Sequence, residues 1–269
     1  MRTLSGLALF VASLAGSASA RVFPADPLNS PMWDYRATQL FGGDPVRFDP
    51  RVKVIVPVIA EDQHRFPVAI DARGIEGVRR ILIFADLNPI PLAVDYRLIG
   101  AQPYIETRIK LDQRTPVRGA AQLASGEWLV SGVWVDAAGG GCSAPPLSRV
   151  RGDWADHLGE MRGGAWSIPG QSNTARLRVS FRHPMDTGLV ENIGTYYIDH
   201  LSVRNAQGIE LGTLAMQASI SEDPSITVLP IASTGERMIL AGRDTGGRTY
   251  AAIVTVEQAI GIPPVASGQ

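Results

Sequence analysis

The feature of this sequence that most constrains its fold is a succession of short β-rich runs separated by turn residues. The first series lies between residues 51 and 137 and contains RVKVIVPVIA, RFPVAIDA, RRILIFADL, PLAVDYRLIG, PYIETRIKL and EWLVSGVWVDA. Several runs alternate apolar and polar residues, and Gly, Pro, Asn or Asp separates most of them, which is typical of antiparallel sandwiches. Since no helix of crossover length intervenes, a doubly wound parallel sheet is disfavoured.

A second series lies between residues 175 and 257 and contains ARLRVSFRH, TYYIDHLSVRN, IELGTLAMQASI, SITVLPIA, ERMILAGRD and RTYAAIVTVE. The Gly-Gly pair in RDTGGRTY predicts a hairpin between the last two runs. We therefore predict an all-β fold with two antiparallel β-sandwich domains in tandem, at residues 28–142 and 175–258. The prolines and glycines of residues 143–174 indicate a linker between the two domains.

The alternation predicts which side chains share a face of each strand. In YIETRIKLD, the residues predicted to face one side are Ile105, Thr107, Ile109 and Leu111. The residues predicted to face the other side are Glu106, Arg108, Lys110 and Asp112. Ahead of the strands, SPMWDYRATQLFGG predicts a short helix that Ser30 caps, Pro31 begins and Gly42 ends.

The first twenty residues have the pattern of an export signal. A basic Arg2 precedes an apolar run from Leu4 to Leu14, and the segment ends on Ala-Ser-Ala. This order predicts a secretory signal peptide at residues 1–20 and a mature protein that starts near Arg21. The apolar run is shorter than the roughly 20 residues of a membrane-spanning helix. An uncleaved anchor is the alternative.

Charge and motif spacing exclude several classes of function. The formal net charge of −1 indicates neither a nucleic-acid patch nor a polybasic membrane surface. The four histidines are His64, His157, His183 and His200, and they lack the spacing of a zinc or haem site. AAGGGC lacks the spacing and the helix of a phosphate loop. The sequence thus predicts no metal, no cofactor and no nucleic-acid partner.

Cys142 is the only cysteine and lies between three glycines and a pair of prolines, in GGGCSAPP. A single cysteine forms no intrachain disulfide, so it is an inert buried residue, part of an intermolecular disulfide, or a thiol used in chemistry. The glycines favour an exposed, mobile position over a buried one. The neighbouring sequence offers no histidine, base or helix N-terminus to activate a nucleophile, which favours an attachment point over a catalytic thiol.

Two motifs resemble a known family. The first series of strands, ending in GGGC, resembles SoxY, the sulfur-substrate carrier subunit of the periplasmic thiosulfate-oxidising system. HPMDTG, residues 183–188, resembles a signature of its partner subunit SoxZ, and SISEDPSITVLPIA fits the same subunit. In this order the two motifs resemble the fused, quinoprotein dehydrogenase-associated SoxYZ-like carriers.

The resemblance implies two immunoglobulin-like sandwiches and a carrier that is not an enzyme. It implies that a small sulfur-containing group is attached to Cys142, on a flexible arm formed by Gly139, Gly140 and Gly141. SoxY subunits end within a residue or two of this cysteine, whereas here Ser143 follows and the arm is tethered at both ends.

The motif HPMDTG has two interpretations. Pro184 and Gly188 are turn residues, and Asp186 can bond its own backbone, so an ordinary turn explains part of the pattern. The other interpretation is that His183, Met185 and Asp186 pack the domains together or position the arm.

Two functions of different classes remain open. One is a periplasmic carrier that presents sulfur cargo on Cys142 to a c-type cytochrome or a quinoprotein dehydrogenase. The other is a non-catalytic assembly module for such enzymes, in which Cys142 links two copies of the chain as a disulfide homodimer. A thiol oxidoreductase is a third, weaker hypothesis, since it needs an unusually acidic thiol.

Overall fold

The computed structural model describes residues 23–152 and 154–259. Over these residues the predicted all-β fold with a short N-terminal helix is confirmed. The predicted signal peptide and the start near Arg21 lie outside the described residues. Within the described residues, helices fall short of the length and apolarity that a bilayer crossing needs.

The N-terminal half, residues 23–142, contains helix α1 and nine strands. Helix α1 is Trp33–Phe41. The strands are β1 Val46–Phe48, β2 Lys53–Ile55, β3 Ile59–Ala60, β4 Phe66–Asp71, β5 Val78–Ala85, β6 Leu92–Leu98, β7 Ala101–Ile109, β8 Thr115–Leu123 and β9 Trp128–Ala137.

The C-terminal half, residues 143–259, contains two short helices and seven strands over its described residues. The helices are α2 Leu147–Arg151 and α3 Trp154–His157. The strands are β10 Met161–Ile168, β11 Gln171–Phe181, β12 Ile198–Asn205, β13 Glu210–Met216, β14 Ser225–Pro230, β15 Arg237–Asp244 and β16 Thr249–Glu257.

The described strands form one large sheet that folds into two layers. One layer has the order β1-β9-β8-β5-β6-β13-β12-β15-β16, and the other has the order β10-β11-β14-β7-β4-β2. Neighbours are antiparallel except β1 with β9, β3 with β9, and β10 with β16. Each half contributes strands to both layers, and in each layer a strand of one half pairs with a strand of the other.

The two edge junctions bring distant parts of the chain together. In one layer β6 pairs with β13, from Leu98 opposite Gly212 to Val94 opposite Met216. In the other layer β7 pairs with β14. The apolar core is continuous across these junctions, since Ile105 belongs to the same buried cluster as residues of both halves. The end of β7 therefore lies beside the C-terminal half.

The segment expected to be a linker, residues 143–174, contains α2, α3, β10 and the start of β11. Regular strand structure thus begins at Met161, ahead of residue 175, while the division into two domains stays a prediction. Gly163 and Gly164 lie within β10, although glycines are typical of positions where a strand is interrupted. A Cβ at position 163 would lie 2.6 Å from Cγ1 of Val254, so glycine lets this strand pack closely on its neighbour.

Candidate functional site

Cys142 lies in the loop after β9 and is buried, with 1% of its surface exposed. The backbone N–H of Gly141 donates to the carbonyl of Leu111 at 3.1 Å. A Cβ at position 141 would lie 2.3 Å from the carbonyl oxygen of Gln63. The expectation of an exposed cysteine on an extended arm is therefore wrong for this structure. The glycine lets the loop pack closely against the protein instead of giving it reach.

Asp112 holds the backbone on both sides of the thiol. Its Oδ1 accepts hydrogen bonds from the backbone N–H of Cys142 (3.0 Å) and from the N–H (3.1 Å) and hydroxyl (2.9 Å) of Ser143. Asn88 fixes the segment that carries Asp112: its Oδ1 accepts the N–H of Asp112 at 3.0 Å and its Nδ2 donates to the carbonyl of Lys110 at 2.7 Å. The carboxylate therefore has a defined position.

Lys110 is a buried cation next to this loop, with 2% of its surface exposed. Its Nζ donates to the carbonyl of Met185, and to that of Ala218 at 2.9 Å. Burial lowers the pKa of Lys110 to about 8, although the charges of Cys142, Asp186 and Glu222 oppose the shift. At neutral pH the ammonium form still predominates.

The thiol of Cys142 is protonated under ordinary conditions. Burial raises its pKa to about 12, the Lys110 ammonium opposes the shift only in part, and Asp112 adds to it. The thiolate is the reactive form of cysteine. In this conformation Cys142 therefore lacks the properties of an activated nucleophile.

The HPMDTG turn of the C-terminal half packs on the cysteine loop. The hydroxyl of Thr187 donates to the carbonyl of Cys142 at 2.6 Å. Met185 adopts a left-handed backbone conformation with φ of 51°, and its carbonyl accepts the hydrogen bond from Lys110. Asp186 is fully buried. Of the residues predicted from the motif, Met185 and Asp186 thus directly precede Thr187, which contacts the cysteine.

Two buried carboxylates of the C-terminal half hold the chain that follows the cysteine. Asp186 forms an ion pair with Arg149. Glu222 accepts hydrogen bonds from the N–H and hydroxyl of Ser148, at 2.9 and 3.0 Å, and pairs with Arg65 at 2.6 Å. Burial acts to raise the pKa of Glu222, but these hydrogen bonds and the Arg65 charge hold it below its ordinary value. Helix α2 is therefore tied to the body beside Cys142.

His183 lies behind the turn in a buried polar cluster. Its Nδ1 accepts the backbone N–H of Met185 at 3.0 Å, and its Nε2 lies 3.7 Å from Oδ2 of Asp244. The hydroxyls of Tyr196 and Tyr250 donate to the same Asp244 oxygen, at 2.8 and 2.7 Å. This arrangement supports the backbone of the turn, and His183 itself makes no described contact with Cys142.

The buried imidazole makes stability depend on pH. Burial lowers the pKa of His183 from 6.5 to about 4, so between these values the folded state binds fewer protons than the unfolded state. Stability should fall as pH decreases through this window, by about 3 kcal/mol. Urea unfolding near neutral pH and near pH 4 measures the loss, which should be smaller in His183→Gln. Equal losses in both proteins would contradict the assignment.

Sequence reasoning missed the polar groups around the thiol. Lys110 and Asp112 were placed on the strand face opposite the apolar residues, and the alternation holds in the structure only up to Ile109, where β7 ends. Thr187 was inside the quoted motif without an assigned role. Among the described residues there is no cluster of three or more His, Cys, Asp or Glu side chains able to hold a metal ion.

Comparison with known families gives a match within the N-terminal half. Residues 37–142 match the family model of the sulfur oxidation protein SoxY. The resemblance to the SoxY-like carrier family is thereby confirmed for this segment. The resemblance of the C-terminal half to SoxZ stays a prediction. No curated protein gives a significant match to the chain.

Solved structures give weak similarities. The sulfur carrier protein SoxY from Chlorobium limicola f thiosulfatophilum is 20% identical with a TM-score of 0.36, over 40% of this chain and 96% of that chain. A β-glycosidase from Bacteroides vulgatus is 12% identical with a TM-score of 0.23, over 81% of this chain and 25% of that chain. The glucan-utilisation protein SGBP-B from Bacteroides ovatus is 13% identical with a TM-score of 0.21, over 78% of this chain and 46% of that chain.

Proposed function

We propose that this protein is a sulfur carrier of the periplasm, in which Cys142 covalently holds a small sulfur-containing group and presents it to redox partner proteins. The observation that carries the proposal is the position of the family match, which covers residues 37–142 and so ends at the cysteine itself. The protein is not an enzyme in this proposal. Residues 1–20 act as its export signal, and residues 175–258 are the SoxZ-like domain.

The attachment step requires an external oxidant. When thiosulfate joins the thiol, a bond forms between Sγ of Cys142 and the terminal sulfur of thiosulfate. The thiol loses its proton, and two electrons leave the newly joined sulfur atoms. A c-type cytochrome partner takes these electrons one at a time, or a quinoprotein dehydrogenase system takes them as a pair. A hydrolase then uses water to release sulfate, which leaves a persulfide on Cys142. A dehydrogenase removes six electrons from that outer sulfur and adds oxygen from water, and a second hydrolysis releases it as sulfate and regenerates the thiol.

The environment of Cys142 argues against a catalytic nucleophile, which leaves attachment of a group as the chemistry that we propose for the thiol. The thiol has a raised pKa, and the described polar contacts around it are to backbone atoms of the loop. Catalysis needs a nucleophile held beside a base, whereas a carrier needs a single thiol that partners reach once the loop that buries it has opened. Cys142 is the only cysteine, so the chain offers no competing thiol.

Intact-protein mass spectrometry tests the proposal. Protein from the periplasm of cells grown on thiosulfate, and of cells grown on an alcohol, is analysed with and without reductant. We expect a reductant-sensitive mass increase on the Cys142 peptide in the thiosulfate culture, and its complete loss in Cys142→Ser.

A matched control moves the thiol by one residue. In the double variant Cys142→Ser with Ser143→Cys, an adduct of equal yield would show that partners recognise any exposed thiol, which contradicts a specific site. An unmodified thiol under every condition would overturn the carrier. A disulfide dimer that Cys142→Ser abolishes would favour the assembly module instead.

A further inference from the structure

The cysteine strap, defined here as residues 139–151, is held down by the N-terminal half at its centre. Asp112 accepts three hydrogen bonds from the backbone of Cys142 and the backbone and hydroxyl of Ser143. The backbone of Gly141 adds a fourth, to the carbonyl of Leu111. These contacts are formed only while the strap lies against the end of β7.

The C-terminal half holds the same strap from the other side. The hydroxyl of Thr187 donates to the carbonyl of Cys142, Asp186 pairs with Arg149, and Glu222 binds Ser148. The strap is thus a bridge between the two halves. Every side chain that holds it from the C-terminal half is buried.

The strap has positions at which it can bend without disturbing a strand. Strand β9 ends at Ala137, and Gly139 and Gly140 follow with φ of 107° and 85°. Space around Gly140 is open, since a Cβ there would meet nothing within 4 Å. Helix α2 begins at Leu147, after the proline pair. The intervening residues therefore form a segment that can lift while both flanking elements stay in place.

We propose that the turn at residues 183–188 is a latch for the strap: the Thr187 hydroxyl holds the segment around Cys142 closed while the Asp186 carboxylate keeps helix α2 in place, and release of the Thr187 hydrogen bond exposes the thiol. The latch controls access to Cys142, and its biological role depends on the carrier function proposed above. In the closed state the thiol and any group on it are shielded from solvent. Loading and unloading take place from the open state.

The rate at which a small alkylating agent modifies Cys142 measures the opening. Removing one hydrogen bond weakens an interaction by about 0.5–1.5 kcal/mol, which is about a two- to tenfold shift of an equilibrium. We therefore expect iodoacetamide to modify Cys142 in Thr187→Val about two- to tenfold faster than in the wild-type protein. The matched control is Thr107→Val, because Thr107 is also buried and its hydroxyl has no partner among the described residues.

Urea unfolding of the same proteins separates local from global opening. The increase in alkylation must exceed any increase in the unfolded fraction. Equal alkylation rates in Thr187→Val and Thr107→Val would overturn the latch. If Thr187→Val does not fold, Thr187→Ala decides the question, since it removes the same hydroxyl from the Cys142 carbonyl with a smaller side chain and should also speed alkylation.

The latch and the carrier function fail in different experiments. Alkylation needs no cargo and no partner, so it reports on the latch alone. Faster alkylation in Thr187→Val without any sulfur adduct in cells would keep the latch and reject the carrier. A sulfur adduct together with unchanged alkylation would keep the carrier and reject the latch.

Discussion

Iodoacetamide should modify Cys142 in the folded protein about a thousandfold more slowly than in the urea-unfolded chain at about pH 8. Only the thiolate reacts, and the thiol pKa is about 12 in the structure against an ordinary value of 9.0. This difference lowers the thiolate fraction by about three orders of magnitude. Burial of the side chain restricts access further, so the thousandfold factor applies to molecules in the closed state.

Mass spectrometry of samples quenched at successive times gives both rates. The control is the double variant Cys142→Ser with Ser143→Cys, whose thiol replaces an exposed side chain and should react at nearly the rate of the unfolded chain. A native rate within tenfold of the unfolded rate would show that Cys142 spends much of its time outside the buried site. The closed strap would then be a minor state.

The predicted arm is a packed loop in the structure, because glycine residues do not by themselves determine whether a segment is exposed or buried. Three glycines before a cysteine permit an extended mobile segment, and they equally permit a close approach of backbone to backbone. At Gly141 the second alternative occurs, because the carbonyls of Gln63 and Leu111 occupy the space of a side chain. Those carbonyls come from β3–β4 and β7 connections far away in the sequence. The residues around Cys142 in the sequence therefore could not predict that these carbonyls pack against the loop.

The β-rich runs were predictable for the opposite reason. Alternation within a strand is a local consequence of one buried face, so Ile105 and Ile109 identified β7 from sequence alone. The pairing of β6 with β13 and of β7 with β14 depends on contacts between the halves. Lys110 is buried where the C-terminal half meets the chain after β7, with its Nζ bonded to the carbonyls of Met185 and Ala218. The alternation of polar and apolar residues along a strand does not show that a distant part of the chain will cover a lysine on its polar face.

The C-terminal motif was the more informative signal for the site. HPMDTG was recognisable as a turn, and the structure places that turn against the cysteine strap through Thr187. The motif did not show that His183 and Asp186 make contacts of different kinds. His183 supports the turn from behind, while Asp186 pairs with Arg149 of the strap.

Replacing Arg118 by methionine should lower the free energy of unfolding by about 3–5 kcal/mol. The Arg118 guanidinium is fully buried in β8 and bonds both oxygens of Asp86, at 2.9 Å, and Oδ2 of Asp26, at 2.6 Å. Methionine fills much of the same volume but leaves two buried carboxylates without their cation. Removing one partner of a buried ion pair costs far more than the pair itself contributes, because the remaining charge stays desolvated.

Arg114→Met is the matched control for this substitution. Arg114 also pairs with an aspartate, Asp136 at 2.7 Å, and both arginines lie over a tryptophan ring, at 4.3 Å for Arg114 and 4.7 Å for Arg118. The Arg114 pair is exposed, however, so its loss should cost less than about 1 kcal/mol. Urea unfolding of both variants makes the comparison. If the two losses agree within about 1 kcal/mol, the burial of Asp86 and Asp26 is not what makes Arg118 important for stability.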